Sequence, residues 1–181
     1  MNEPKNQELV EFADNVVSTA LSAKRLLCEF AEGPADGIPL LVWQTKDGTQ
    51  IVPLPTPDGD ISLPEIMEVV LKEVWAGLGT PIHGSIVVEA FMGEVGSFDE
   101  IKRGELEKRF KENPKSVSEC MTVLTFNTAG QFCHSVLEYT YDDKGMPKFA
   151  DESVANNQDD SVIGGEMVTI VGQFLKFING Q

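Results

Sequence analysis

Apolar residues recur at helical spacing in three long stretches of the chain. The first stretch, residues 6–31, predicts a long helix whose apolar stripe contains Leu9, Ala13, Val16, Val17, Ala20, Leu21, Leu27 and Cys28. The second begins at Ser62, which forms a capping box with Glu65, and its apolar positions then continue in helical register. The third runs from Glu166 to Ile178, and a short charged helix is predicted to end before Pro114.

Alternating or continuous short apolar runs predict the strands. Asp47-Gly48 is a strong hairpin signal between the first two runs, and a loop at 127–130 separates the last two long ones. The predicted strands are 40–45, 49–53, 82–94, 117–126 and 131–141, with a brief edge strand at 146–150.

These elements predict an α+β fold in a single domain that covers residues 1–181. The sheet is expected to be mainly antiparallel, with about five strands in two hairpins plus a central strand, and to carry three major helices in the order α-β-β-α-β-α-β-β-(β)-α. Hairpins and a meander favour helices packed on one face of such a sheet. Residues 151–165 are polar and predict a mobile loop before the C-terminal helix.

Composition adds a strong negative charge to this picture. The 181 residues include 14 basic and 29 acidic ones, for a formal charge of −15. Phosphate backbones and anionic membrane surfaces would be repelled, so nucleic acid and membranes are disfavoured as partners. A basic protein is the kind of partner that this charge favours, although a solvated acidic surface also explains it.

Cysteine usage points to a reducing compartment. Cys28, Cys120 and Cys133 form an odd set with no CxxC spacing, which excludes the simple zinc and thioredoxin-type motifs. The first residues are polar and acidic, without a basic segment before an apolar run, so no secretory signal is predicted. We therefore expect a cytoplasmic protein.

The adjacent Cys133 and His134 raise the question of a catalytic dyad or metal site. Successive side chains of a strand point to opposite faces, so the two should be kept apart. With a loop at 127–130, the hairpin register would pair Leu124 with Cys133 and Val123 with His134, and would put Cys120 and Cys133 on one buried face.

The same register places three ionisable side chains on the other face, where Glu119 would lie directly across from Glu138. With His134 they are the candidates for acid–base catalysis, since paired carboxylates can raise one another's pKa. The competing interpretation is that these side chains lie on a solvent-exposed face of the sheet and have no catalytic role. His83, which follows Pro81 near a loop, is expected at the surface.

The common sequence motifs of metal, nucleotide and hydrolase sites are absent. It contains no HExxH, no GxGxxG after a strand, no P-loop and no GxSxG, so neither a metal site nor a cofactor is predicted. The large apolar side chains Trp43, Trp75, Phe174 and Phe177 are instead predicted as interface candidates.

Three functional hypotheses follow. The first is a non-catalytic, cytosolic accessory or protein-interaction module that forms a homodimer. The second is an acidic chaperone or inhibitor that binds a basic partner. The third is a small hydrolase or acid–base enzyme that uses Glu119, Glu138 and His134.

Overall fold

The computed structural model describes residues 7–55, 63–92, 105–113, 118–150 and 166–180. The helices are α1 (Gln7–Ala31), α2 (Leu63–Leu78), α3 (Glu105–Glu112) and α4 (Glu166–Ile178). The strands are β1 (Leu40–Thr45), β2 (Gly48–Pro53), β3 (His83–Met92), β4 (Ser118–Asn127), β5 (Phe132–Tyr141) and β6 (Pro147–Phe149). The predicted loop at 151–165 and the capping residue Ser62 lie outside the described residues.

One antiparallel sheet organises these elements, in the spatial order β2-β1-β3-β4-β5-β6. This confirms the predicted α+β class and the order of elements along the chain. The brief edge strand is present as β6, which pairs with the end of β5 and brings the described sheet to six strands.

Helices pack on both faces of the sheet, so the prediction that they lie on one face was wrong. On one face, α1 buries Val87, Val123 and Leu137 in a first core. On the opposite face, α2 and α4 cover a second core that contains Trp43, Ile86 and Phe126. The polar residues of β3 hid the first core, because His83 and Ser85 interrupt the apolar alternation but are themselves buried.

The β4–β5 register differs from the predicted one by a single residue. Phe126 pairs with Phe132, Leu124 with His134 and Thr125 with Cys133. Asn127 pairs with Gln131, so the loop has three residues instead of the predicted four: the N–H of Asn127 bonds to the carbonyl of Gln131, and Gly130 has φ 78°. This arrangement is typical of a three-residue hairpin loop that closes with a bulge at a left-handed glycine.

Candidate functional site

The structure places Glu119 on the opposite face of the sheet from Glu138 and His134, the other two residues proposed for acid–base catalysis. Glu119 pairs with Tyr139, whereas Glu138 pairs with Cys120. A one-residue change of register moves every side chain to the other face. Glu119 therefore lies on the α1 face, while Glu138 and His134 lie on the face covered by α2 and α4. The predicted Glu119–Glu138 pairing was wrong for this reason.

Cys133 and His134 point to opposite faces of the regular strand β5, as strand geometry requires. The thiol of Cys133 is buried with Leu9 and Ala13 of α1. Cys120 is buried too, but on the other face, so the prediction that it shares a face with Cys133 was wrong. Burial raises the pKa of the Cys120 thiol to about 11, and burial lowers the pKa of His134.

His83 lies inside the protein, so the expected surface position was wrong. Only 7% of the residue is exposed, and its ring stacks on Phe12 of α1 at 5.1 Å between centroids. Its Nδ1 lies 2.7 Å from Oε1 of Gln44, which requires the proton on that nitrogen. Burial lowers the pKa of His83, against the opposing charge of Glu8, and the imidazole works as a neutral packing group.

A buried ion pair that the sequence did not single out lies on the α1 face. The Lys24 ammonium is 2.8 Å from Oε1 of Glu89, and 1% of the lysine side chain is exposed against 18% of the glutamate. The ammonium also lies over the rings of Tyr139 and Tyr141, at 4.9 and 5.5 Å from their centroids. Burial lowers the pKa of Lys24, but hydrogen bonds and charge interactions with Glu89 and Tyr141 outweigh it, and the net pKa is raised.

A connecting segment, residues 33–39, is fastened to this ion pair and is called the strap below. Lys24 donates a hydrogen bond to the carbonyl of Ala35, and the N–H of Gly37 donates to Oε2 of Glu89 at 2.7 Å. A Cβ on Gly37 would lie 2.7 Å from the Glu89 carboxylate, so a larger residue here would have to displace that carboxylate. The ion pair therefore joins α1, the strap and β3.

Glu119 adds a second carboxylate near the pair. Burial raises its pKa, the positive charge of Lys24 opposes that shift, and the charges of Glu89 and Asp36 reinforce it. The pKa of Tyr139 and that of Tyr141 are raised mainly by burial. Lys24, Tyr139 and Tyr141 therefore keep their protons at neutral pH, and none of the three can act as a general base there.

Beside α1, part of the sheet is uncovered. The helix packs mainly on β3 to β6 and also buries Val42 of β1, so among the described residues the α1 side of β2 carries no helix. This floor contains Leu40, Val42, Gln44, Thr49 and Ile51. The wall is one flank of α1, with Asn15, Thr19, Ala23, Leu26 and Phe30 at spacings of three and four. Floor and wall together are called the α1 groove.

Two adjoining cavities show that the α1 groove is continuous. The larger, about 510 Å³, lies between the C-terminal half of α1, the strap and β3, and the smaller, about 290 Å³, lies over β1 and β2. Both are lined by Ala20, Ala23, Leu40 and Val87. Along α1 they run from Phe12 to Phe30, which is ~27 Å at 1.5 Å per residue.

Exposed apolar side chains stand at the border of the α1 groove. Phe30 is 94% exposed and Leu26 63%, while Ile38 of the strap and Ile51 of β2 are each more than half exposed. Large contiguous apolar surfaces of this kind mark binding sites more often than bare surface.

The four predicted interface residues divide into two pairs. Trp43 and Phe174 lie fully inside the second core, at 0% and 3% exposure, where Trp43 donates to the carbonyl of Gly79. Phe177 is 54% exposed and packs edge-on against the half-buried Trp75, 5.6 Å between ring centroids. Trp75 and Phe177 thus remain predicted interface residues at the surface between α2 and α4.

The periodicity of α1 contained a signal for the ion pair. Lys24 occupies the apolar stripe, four residues after Ala20 and four before Cys28, and Glu89 follows Val87 on the same face of β3. A charge at a core position of a helix and another at a core position of a strand predict a buried pair, since buried charges are normally paired.

Within the described ranges, no three His, Cys, Asp or Glu side chains come close enough to hold a metal ion. No described helix has both the length and the apolar character needed to cross a bilayer. No protein-family model, curated protein or solved structure matches the chain.

Proposed function

We propose that the protein is a non-catalytic interaction module that binds an amphipathic helix of a partner protein in the α1 groove. The observation that supports this is that α1 leaves β2 and the outer part of β1 uncovered, whereas α2 and α4 cover these two strands on the opposite face. A six-stranded sheet is ~24 Å wide at ~4.8 Å between strands, and a helix is ~10 Å across. One further helix is therefore the element that fits the uncovered half.

Charge selects the kind of helix. The chain carries a formal charge of −15, and the exposed residues Glu11, Asp14 and Glu29 follow the outer side of α1. A helix with an apolar face for the groove and a basic face toward solvent would be attracted electrostatically. This is the chaperone or inhibitor hypothesis in a more specific form, with a basic partner.

A second copy of the chain fits the α1 groove less well than a foreign helix. The outer side of α1 is polar, with Ser18, Ser22 and the acidic residues named above. Packing it against another copy of this acidic surface would place like charges together, which costs free energy. The predicted homodimer remains part of the proposal, with the exposed surface around Trp75 and Phe177 as its candidate contact.

Two features support the non-catalytic and cytosolic parts of the proposal. Glu119 lies on the opposite face of the sheet from Glu138 and His134, which leaves the enzyme hypothesis without a common pocket for them. None of the three cysteines forms a disulfide, all three are buried, and Cys120 and Cys133 lie on opposite faces, as suits a reducing compartment.

Labelled model peptides test the helix proposal by fluorescence anisotropy. The probe is a leucine/lysine amphipathic helix of about 18 residues, which matches ~27 Å of groove. We expect saturable binding to the full chain, weakened by salt, and at least about tenfold weaker binding of a leucine/glutamate peptide with the same apolar positions.

Two lysine variants of equal charge locate the binding site. Ile51→Lys places a cation on the groove floor and should weaken binding about tenfold, whereas Val69→Lys on α2, 60% exposed in the native protein, should leave it unchanged. Equal binding of a scrambled leucine/lysine peptide, or equal effects of the two variants, would contradict the proposal. Displacement of the peptide from the floor of the α1 groove by a second copy of the chain would also contradict the proposal.

A further inference from the structure

The larger cavity of the α1 groove has one charged corner. Its wall is apolar along Ala23, Leu26 and Phe30 of α1, and Ile38 closes it from the strap. Lys24 and Glu89 are the charged residues that line it among the described parts of the chain. A volume of about 510 Å³ lies within the range of pockets that hold a specific ligand group.

The accessible member of the ion pair is the carboxylate. Lys24 is 1% exposed and is already engaged by Glu89, the carbonyl of Ala35 and two tyrosine rings. Glu89 is 18% exposed, and its Oε2 accepts one hydrogen bond, from Gly37, although a carboxylate oxygen has room for two. The cavity therefore offers a partly satisfied acceptor to whatever enters it.

Among the residues that the structure describes, the carboxylates near this corner outnumber the cations. Glu119 lies on the same face as Glu89 and interacts with it electrostatically. One ammonium thus serves two acidic side chains. An entering carboxylate would be repelled, and a neutral apolar group would leave the acceptor capacity of Glu89 unused.

We propose that the partner helix inserts one long cationic side chain, lysine or arginine, into this cavity, with its apolar stem along α1 and its charged end against Glu89. Such side chains place their methylene stems on apolar surface while the charge meets a polar group. This inference rests on the proposed helix docking and names the partner residue that would anchor it.

Small amphiphiles of matched chain length test the anchor separately from the helix. Hexylammonium, hexanol and hexanoate are titrated into the full-length protein, and methyl shifts of Val87, Met121 and Ile38 report binding by NMR. We expect hexylammonium to bind at least about tenfold more tightly than hexanol, and hexanoate to bind more weakly than either. A preference for hexanol or hexanoate would overturn the proposal.

A variant that supplies the cation from the protein itself gives the decisive control. Ala23→Lys introduces a lysine on the cavity wall, where its ammonium can reach Glu89, and should abolish the preference for hexylammonium. Ser22→Lys adds the same charge at an exposed position of α1 and should preserve the preference. Preserved preference in Ala23→Lys, or loss in both variants, would contradict the anchor.

Removing the Lys24–Glu89 ion pair provides a second test of the anchor. Lys24→Met/Glu89→Met should equalise hexylammonium and hexanol, whereas Lys72→Met/Glu68→Met, which removes an exposed pair on α2, should change nothing. Unequal binding in the first variant would count against the anchor; if that variant does not fold, the Ala23→Lys pair decides alone.

Competition separates this inference from the proposed function. The leucine/lysine helix should displace hexylammonium from the wild-type cavity. If the helix binds the groove without displacing the amine, the anchor is wrong and the docking proposal stands. If hexylammonium is preferred but the helix does not bind, the cavity is a site for small amines, and both the docking and the helix-borne anchor fail.

Discussion

Lys24 is the residue on which the local structure of the α1 face depends most directly. Its ammonium connects α1 to the carbonyl of Ala35, to Glu89 and to the rings of two tyrosines. Removing one partner of a buried pair leaves the other charge without compensation, which is far more costly than removing both.

Single and double substitutions should reveal that asymmetry. We expect Lys24→Met to lower the free energy of unfolding by about 3 kcal/mol, because Glu89 stays behind as an uncompensated anion. Lys24→Met/Glu89→Met should recover most of this loss. Urea denaturation measures all three proteins.

The exposed pair on α2 is the matched control. Lys72→Met should change stability by less than about 0.5 kcal/mol, since exposed pairs separated by one helical turn contribute little. A Lys24→Met effect as small as that of Lys72→Met would mean that the buried pair does not hold the fold together.

At the residue scale, the alternation of side chains along the strands was predictable from the sequence, whereas the burial of Lys24 and Glu89 was not predicted. The separation of Cys133 from His134 follows from strand geometry alone. Lys24 and Glu89 were overlooked because each lies between apolar neighbours of its own element, and only the fold brings the two elements together.

At the element scale, helices and strands were predictable because their apolar periodicity is strong. The extents of α2 and α4 follow the predicted stripes closely. The β4–β5 register was not predictable from the loop sequence, because the left-handed turn at Gly130 decides between a four-residue and a bulged connection. That choice then determined the faces of Glu119, Glu138 and Cys120.

The packing of β3 on β4 leads to a prediction about Gly84. A Cβ at this position would lie 2.3 Å from Cζ of Phe126, whose ring is fully buried. We expect Gly84→Ala to lower the free energy of unfolding by about 2 kcal/mol, because the ring cannot move away without straining the core. Thermal or urea unfolding would measure the loss.

Gly77 in α2 is the control for this substitution. It has open space where a Cβ would lie and keeps a negative φ, so Gly77→Ala should stabilise the protein by about 0.5 kcal/mol through helix propensity. If both alanine variants shifted stability in the same direction, the close contact between Gly84 and Phe126 would not explain the effect.

On the scale of the whole molecule, each face of the sheet is covered in part: α1 lies mainly over β3 to β6, whereas α2 and α4 cover β1 and its neighbours on the other face and leave Ala90 and Glu138 exposed. The composition predicted neither, since an exposed apolar flank and a buried one look alike in sequence. The α1 groove was therefore not predictable from the sequence, whereas the negative charge of the chain follows directly from its composition.

The homodimer is a prediction at this scale. Sedimentation velocity across micromolar concentrations should show a species of twice the chain mass, because Trp75 and Phe177 expose apolar surface between α2 and α4. Phe177→Lys should shift it to the monomer, and Phe30→Lys in the α1 groove should not. A strict monomer in the wild-type protein would remove the dimer from the proposal.

The bulged turn at Gly130 ties the faces of the β5 side chains to the number of residues in the hairpin loop. Deleting one loop residue while keeping the same bulged turn would shift the β4–β5 register by one residue and rotate β5 inside out, sending Leu137 and Tyr139 toward α2 and α4 and His134 toward α1. Lengthening or shortening by two residues preserves every orientation. As long as the turn at Gly130 is retained, natural variation in this loop should therefore come in even steps, a constraint on insertions and deletions that arises from one glycine.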